Sequence, residues 1–94
     1  MANREEYIAK MKAQLDEWNA DLGKLEQKMA VASDATKERL APYLENVRDA
    51  RDAAMKKFGE LKASGEASWD SAEAEVELVW KSFKQSVKYF KSQL

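Results

Sequence analysis

The run Ile8-Ala9-Lys10-Met11-Lys12-Ala13-Gln14-Leu15-Asp16-Glu17-Trp18-Asn19-Ala20-Asp21-Leu22-Gly23-Lys24-Leu25-Glu26-Gln27-Lys28-Met29 decides the fold class. Its apolar residues return at alternating steps of three and four. Ile8, Leu15, Leu22 and Met29 hold one position of a heptad, and Met11, Trp18, Leu25 and the following Ala32 hold the other. Residues three and four apart share a helix face, and a sustained 3.5-residue period is the sequence condition for a left-handed coiled coil. Upstream, Asn3 with Glu6 three residues later makes a capping-box pattern for a helix start.

Downstream the phase slips. Ala32, Thr36, Leu40 and Leu44 follow at steps of four, and Val47, Arg51, Ala54, Phe58 and Leu61 then resume the alternation. Repeated fours within a heptad pattern form a stutter, which locally unwinds a continuous supercoil. The other possibility is a break, with Ser33 or Asp34 capping a new helix. Pro42 bears on both, because it costs about 3 kcal/mol inside a helix and little at a first helical position. No Gly lies between Gly23 and Gly59. The spacing therefore favours one long, kinked helix from about Asn3 to Lys62 over a turn near residues 33–41. Arg51 falls at a core position, where it either snorkels to the rim or pairs with a carboxylate.

A clearer boundary is Ala63-Ser64-Gly65-Glu66. Gly65 suits the left-handed conformation that ends many helices, and Ser64 or Ser68 suits the next cap. Beyond it Trp69, Ala72, Val76, Val79, Phe83, Val87, Phe90 and Leu94 form one stripe, widened by Trp80 and Tyr89. Its acids come first (Glu66, Asp70, Glu73, Glu75, Glu77) and its lysines last (Lys81, Lys84, Lys88, Lys91). That order complements the helix dipole.

One all-α domain over residues 1–94 is expected, in segments 3–33, 34–63 and 67–93. The favoured form is a heptad-patterned coiled coil, a long kinked helix folded back near Gly65 onto a second helix. A compact up-down-up three-helix bundle is the alternative. In the first form the stripe of Ile8, Met11, Leu15, Trp18, Leu22, Leu25 and Met29 needs a second chain, so a homo-oligomer follows. A continuous 3–62 helix would extend roughly 90 Å at 1.5 Å per residue, about twice the length of the bundle.

The remaining composition limits the chemistry. Lys and Arg number 16 against 17 Asp and Glu, a net charge of −1, which lacks the cationic excess that nucleic-acid binding requires. There is no Cys and no His, which removes thiolate nucleophiles, imidazole catalysis and the usual zinc ligands. Glu73 and Glu77 share a helix face at i,i+4, yet a di-iron site would add Glu-x-x-His on facing helices, so a solvated acidic face is the better account. Gly23, Gly59 and Gly65 are isolated and form no phosphate loop. No catalytic residue, cofactor or metal is therefore expected, and the chain reads as a non-enzyme. The acidic start, Arg4-Glu5-Glu6, and the lack of any 18-residue apolar run point to a cytoplasmic protein.

Two candidate binding features remain. The first is the Ile8–Met29 seam, for a second copy or a protein partner. The second runs from Trp80 to Lys91, where Lys81, Lys84, Lys88 and Lys91 flank Trp80, Phe83, Val87 and Phe90. Cations beside an apolar face mark helices that lie on anionic membranes or granule surfaces. Against this, the aromatics can pack internally while the lysines meet Asp34, Glu38, Glu45 and Asp49 across a fold-back. Trp18 and Trp69 fall on core stripes, whereas Trp80 falls at the edge of its own.

The run Tyr7-Ile8-Ala9-Lys10-Met11-Lys12-Ala13-Gln14-Leu15-Asp16-Glu17-Trp18-Asn19-Ala20 resembles a family of small bacterial coiled-coil proteins that carry a general stress-response label. The likeness extends through Glu60-Leu61-Lys62-Ala63, Ala67-Ser68-Trp69 and Val79-Trp80, with Pro42 as a departure from the uninterrupted helix of that family. It implies a bacterial, cytosolic, non-enzymatic protein and supplies no site residues. The expected function is self-association in assembly or stress protection. The alternative is a peripheral lipid- or granule-surface binder in the manner of phasins and apolipoproteins.

Overall fold

The structure is a computed structural model that describes residues 4–93. Asn3, the expected first cap, and Leu94, the expected end of the last stripe, lie outside the described residues. Three helices account for nearly all of it: α1 (Arg4–Ala30), α2 (Asp34–Ala63) and α3 (Trp69–Gln93), with a single 3-10 turn at Glu66–Ser68 before α3. The fold is all-α, as expected.

The long continuous helix is not what forms. The chain turns after Ala30, and Ser33 caps a new helix with extended backbone (φ −64°, ψ 158°), its hydroxyl accepting from the Thr36 amide at 3.2 Å. Asp34 then places a carboxylate in the first turn of α2, where the helix dipole favours it. Two local interactions thus outweigh the continuity suggested by the missing glycine. Pro42 sits inside α2. The backbone bond it lacks would run to Glu38, and both residues are exposed on the water side.

At the second turn the helix end also differs from expectation. Ser64 and Gly65 are extended (φ −70° and −87°), and no glycine in the described residues has a positive φ. The hydroxyl of Ser64 donates back to the Leu61 carbonyl at 2.7 Å, and that of Ser68 to Gly65 at 3.4 Å, so neither side chain caps α3.

The helices run up, down and up in a bundle 50 × 18 × 18 Å. Arg4 at the start of α1 reaches the Ser64 carbonyl at the end of α2 (2.6 Å), and its guanidinium lies 4.6 Å over the Trp69 ring. Lys57–Glu75 and Arg39 to the Gln93 carbonyl mark the antiparallel register of α2 and α3. The compact alternative is therefore the architecture adopted.

The core consists of inward stripes from all three helices. Met11, Leu15, Leu22, Leu25 and Met29 of α1 meet Leu40, Val47, Ala54, Phe58 and Leu61 of α2 and Val76, Trp80, Phe83, Val87 and Phe90 of α3. No polar or charged residue is buried among the described residues. Arg51 stays half-buried at the rim and contacts the neighbouring Asp52 at 3.2 Å.

Spacing between helices is uneven. α2 and α3 approach most closely, while α1 lies farther from both. Small residues such as Ala50, Ala54 and Ala72 let the α2 and α3 backbones come together. The aromatic rings of Tyr7, Trp18, Trp69 and Trp80 stand between α1 and α3.

Candidate functional site

The seam residues expected to await a partner are occupied within the chain. Met11, Leu15, Leu22, Leu25 and Met29 are buried against α2 and α3, and Ile8 and Trp18 are half-buried against the same core. The physical motive for an obligate oligomer along this stripe is thereby met internally.

The apolar half of the Trp80–Lys91 face is likewise turned inward. Trp80, Phe83, Val87 and Phe90 are buried, leaving Lys81, Lys84, Lys88 and Lys91 exposed. Trp80 is not an edge residue. Its indole lies between Trp18 (centroids 6.2 Å apart) and Phe58 (5.7 Å). A helix in a three-helix bundle is covered from two sides, so its buried arc is wider than a two-stranded seam suggests. The expected acid partners of the lysines are also replaced. Lys91 meets Asp21 of α1 at 3.4 Å, and among the described residues Lys81, Lys84 and Lys88 have no acid within ion-pair distance.

A groove of about 350 Å³ runs between α1 and α3, lined by Tyr7, Gln14, Trp18, Glu77, Trp80 and Lys81 among others. Tyr7 donates to Glu77 at 3.4 Å. Partial burial, then the charges of Glu77 and Glu73, push its phenol up to about 12. No group of three or more metal-competent side chains converges among the described residues.

Three buried polar atoms have no hydrogen-bond partner among the described residues: Nε of Arg4, Oδ1 of Asn19 and Nε1 of Trp80. Two belong to α1 and the third belongs to the indole packed on Trp18. The Trp80 indole also packs on Phe58 of α2. Leaving such a group unpaired costs about 1–3 kcal/mol.

A second concavity, about 690 Å³, opens at the end of the bundle that carries the α1–α2 turn. Lys24, Lys28, Lys91 and Asp21 rim it, Leu25 and Ala32 form its apolar wall, and Thr36 adds a hydroxyl. The sequence held a sign of this in the i,i+4 spacing of Lys24 and Lys28, but nothing linked them to Lys91 before the fold was known. Beside it, Val31 on the turn is 87% exposed. A third groove of about 700 Å³ between α1 and α2 mixes both signs, with Arg48 and Glu26 paired at 2.5 Å.

Charge is segregated along the bundle. The half carrying the α1–α2 turn (residues 18–47 and 83–93) has seven Lys and Arg against five Asp and Glu, a net +2. The rest of the described chain has nine against twelve, a net −3. No helix among the described residues is long and apolar enough to cross a membrane.

Comparison with known proteins finds no family model, no curated protein and no solved structure that matches this chain. The likeness to stress-response-labelled coiled-coil proteins therefore rests on its quoted residues alone.

Proposed function

We propose that this chain is a non-enzymatic, peripheral binder of anionic lipid or granule surfaces, which parts α1 from the α2–α3 hairpin and lays the exposed apolar faces on the surface. The observation that carries it is the position of the unpartnered polar atoms. Arg4 and Asn19 of α1, and Trp80 packed on Trp18 of α1, each leave a buried polar atom without a partner among the described residues. Opening α1 rehydrates these groups. It also exposes stripes with no buried charge, which an apolar surface covers again at roughly 25 cal/mol per Å². The opposite choice, opening α2 from α3, would break the closest contact in the bundle. Exposed Lys81, Lys84 and Lys88 then add a diffuse attraction to anionic headgroups that falls off within a Debye length.

Flotation of the full chain with phosphatidylcholine vesicles containing phosphatidylglycerol tests the proposal. At low salt the protein should rise with the vesicles. It should be largely released at 1 M salt, where the screening length is about 3 Å. Protein that stays at the bottom of the gradient at low salt ends the proposal.

A further inference from the structure

The lysine-rimmed cleft at the turn end differs from the other concavities in charge and in what surrounds it. Lys24 and Lys28 stand one turn apart on α1, a like-charge pair that weakens a helix unless an anion lies near. Asp21 is the only acid in the lining among the described residues, and Lys91 engages it at 3.4 Å. Among the described residues neither Lys24 nor Lys28 has an acid within ion-pair distance. The wall below them is apolar through Leu25 and Ala32. On the adjoining turn Val31 points an almost fully exposed apolar side chain away from the bundle, in the half of the molecule with net positive charge.

We infer that this cleft is a site for the phosphate group of an anionic phospholipid, and that the bundle meets the bilayer turn end first, with Val31 entering the interfacial layer. The inference rests on the surface-binding proposal and adds the headgroup class, the orientation and the hinge. The 31–33 turn that joins α1 to the hairpin lies at the point of contact, so α1 opens about a pivot already held at the surface. A phosphomonoester carries about −1.5 to −2 charges at neutral pH and suits two uncompensated ammonium groups better than a diester does. Phosphatidate is therefore preferred to phosphatidylglycerol at equal surface charge.

The test uses the full chain in three arms: phosphatidylcholine vesicles doped with phosphatidate, monomeric dihexanoylphosphatidate, and sodium phosphate. With vesicles, K24Q/K28Q should lower affinity by about 30-fold, from about fivefold per lysine. The charge-matched K81Q/K84Q should lower it by about threefold or less. Val31→Asp should weaken vesicle binding while leaving the melting temperature unchanged. Equal losses in the two lysine pairs overturn the cleft in favour of diffuse attraction. With dihexanoylphosphatidate, the amide resonances of Lys24, Lys28 and Thr36 should shift saturably in wild type and not in K24Q/K28Q. If that holds while wild type fails to float, the cleft stands and the opening of the bundle on surfaces is what fails. If sodium phosphate shifts the same amides equally at equal concentration, the lipid assignment is overturned.

Discussion

Trp18 of α1 stands 6.2 Å from Trp80 of α3, ring planes 60° apart, and the same indole of Trp18 meets Phe83 edge-on at 5.4 Å. These rings are the main apolar link of α1 to α3 at mid-bundle. Trp18→Ala should destabilise the fold by about 2–4 kcal/mol in urea denaturation, below the full core cost because the indole is half-buried. Trp80→Phe should stay within about 1.5 kcal/mol of wild type. It loses area but also removes the unpaired N–H.

Gly23 and Gly59 lie inside helices, exposed, with open space where a Cβ would stand. Each Gly→Ala change should stabilise the protein by about 0.5–1 kcal/mol through lower chain entropy in the unfolded state. The sites are on different helices, so the double variant should show the sum. Thermal melting followed by circular dichroism reads it directly.

Ser33 caps the start of α2 at the point where the chain turns back. Ser33→Ala removes the bond to the Thr36 amide and should cost about 1 kcal/mol, whereas Ser33→Asp should retain most of the stability. Loss of stability in both variants alike would contradict the capping role.

Tyr7 offers a test in alkali. Its folded pKa is pushed up to about 12 from an ordinary 10.0, by burial first and then by Glu77 and Glu73. Between pH 10 and 12 the folded chain holds a proton that the unfolded chain releases. The contribution is therefore complete below pH 10 and is lost as pH rises through 12. Absorbance at the phenolate band should show one tyrosine titrating last, missing in Tyr7→Phe. In Glu77→Gln it should move down while staying above 10.0, because burial remains.

Much of the fold was legible in the sequence, and the gaps have physical causes. Met11, Leu15, Leu22, Leu25 and Met29 reach the core where the heptad count puts them, because side-chain burial follows helical period. The break after Ala30 was harder to read. It goes with local capping by Ser33 and Asp34, interactions with no periodic signature. By spacing alone Trp80 falls at an edge, because spacing along one helix does not reveal that two neighbours cover it. The cleft lined by Lys24, Lys28 and Lys91 draws on the first and last helices, and only the up-down-up path brings them together.

The central claim is that α1 leaves the α2–α3 hairpin on an anionic surface. The chain has no native cysteine, so spin labels at Ala13→Cys and Ser82→Cys, both exposed, report the α1–α3 distance without interference. In solution the pair should give a short, narrow distribution set by a bundle 18 Å across. With phosphatidate-containing vesicles the distance should lengthen well past that width. An unchanged distribution in protein shown to be vesicle-bound would contradict the opening.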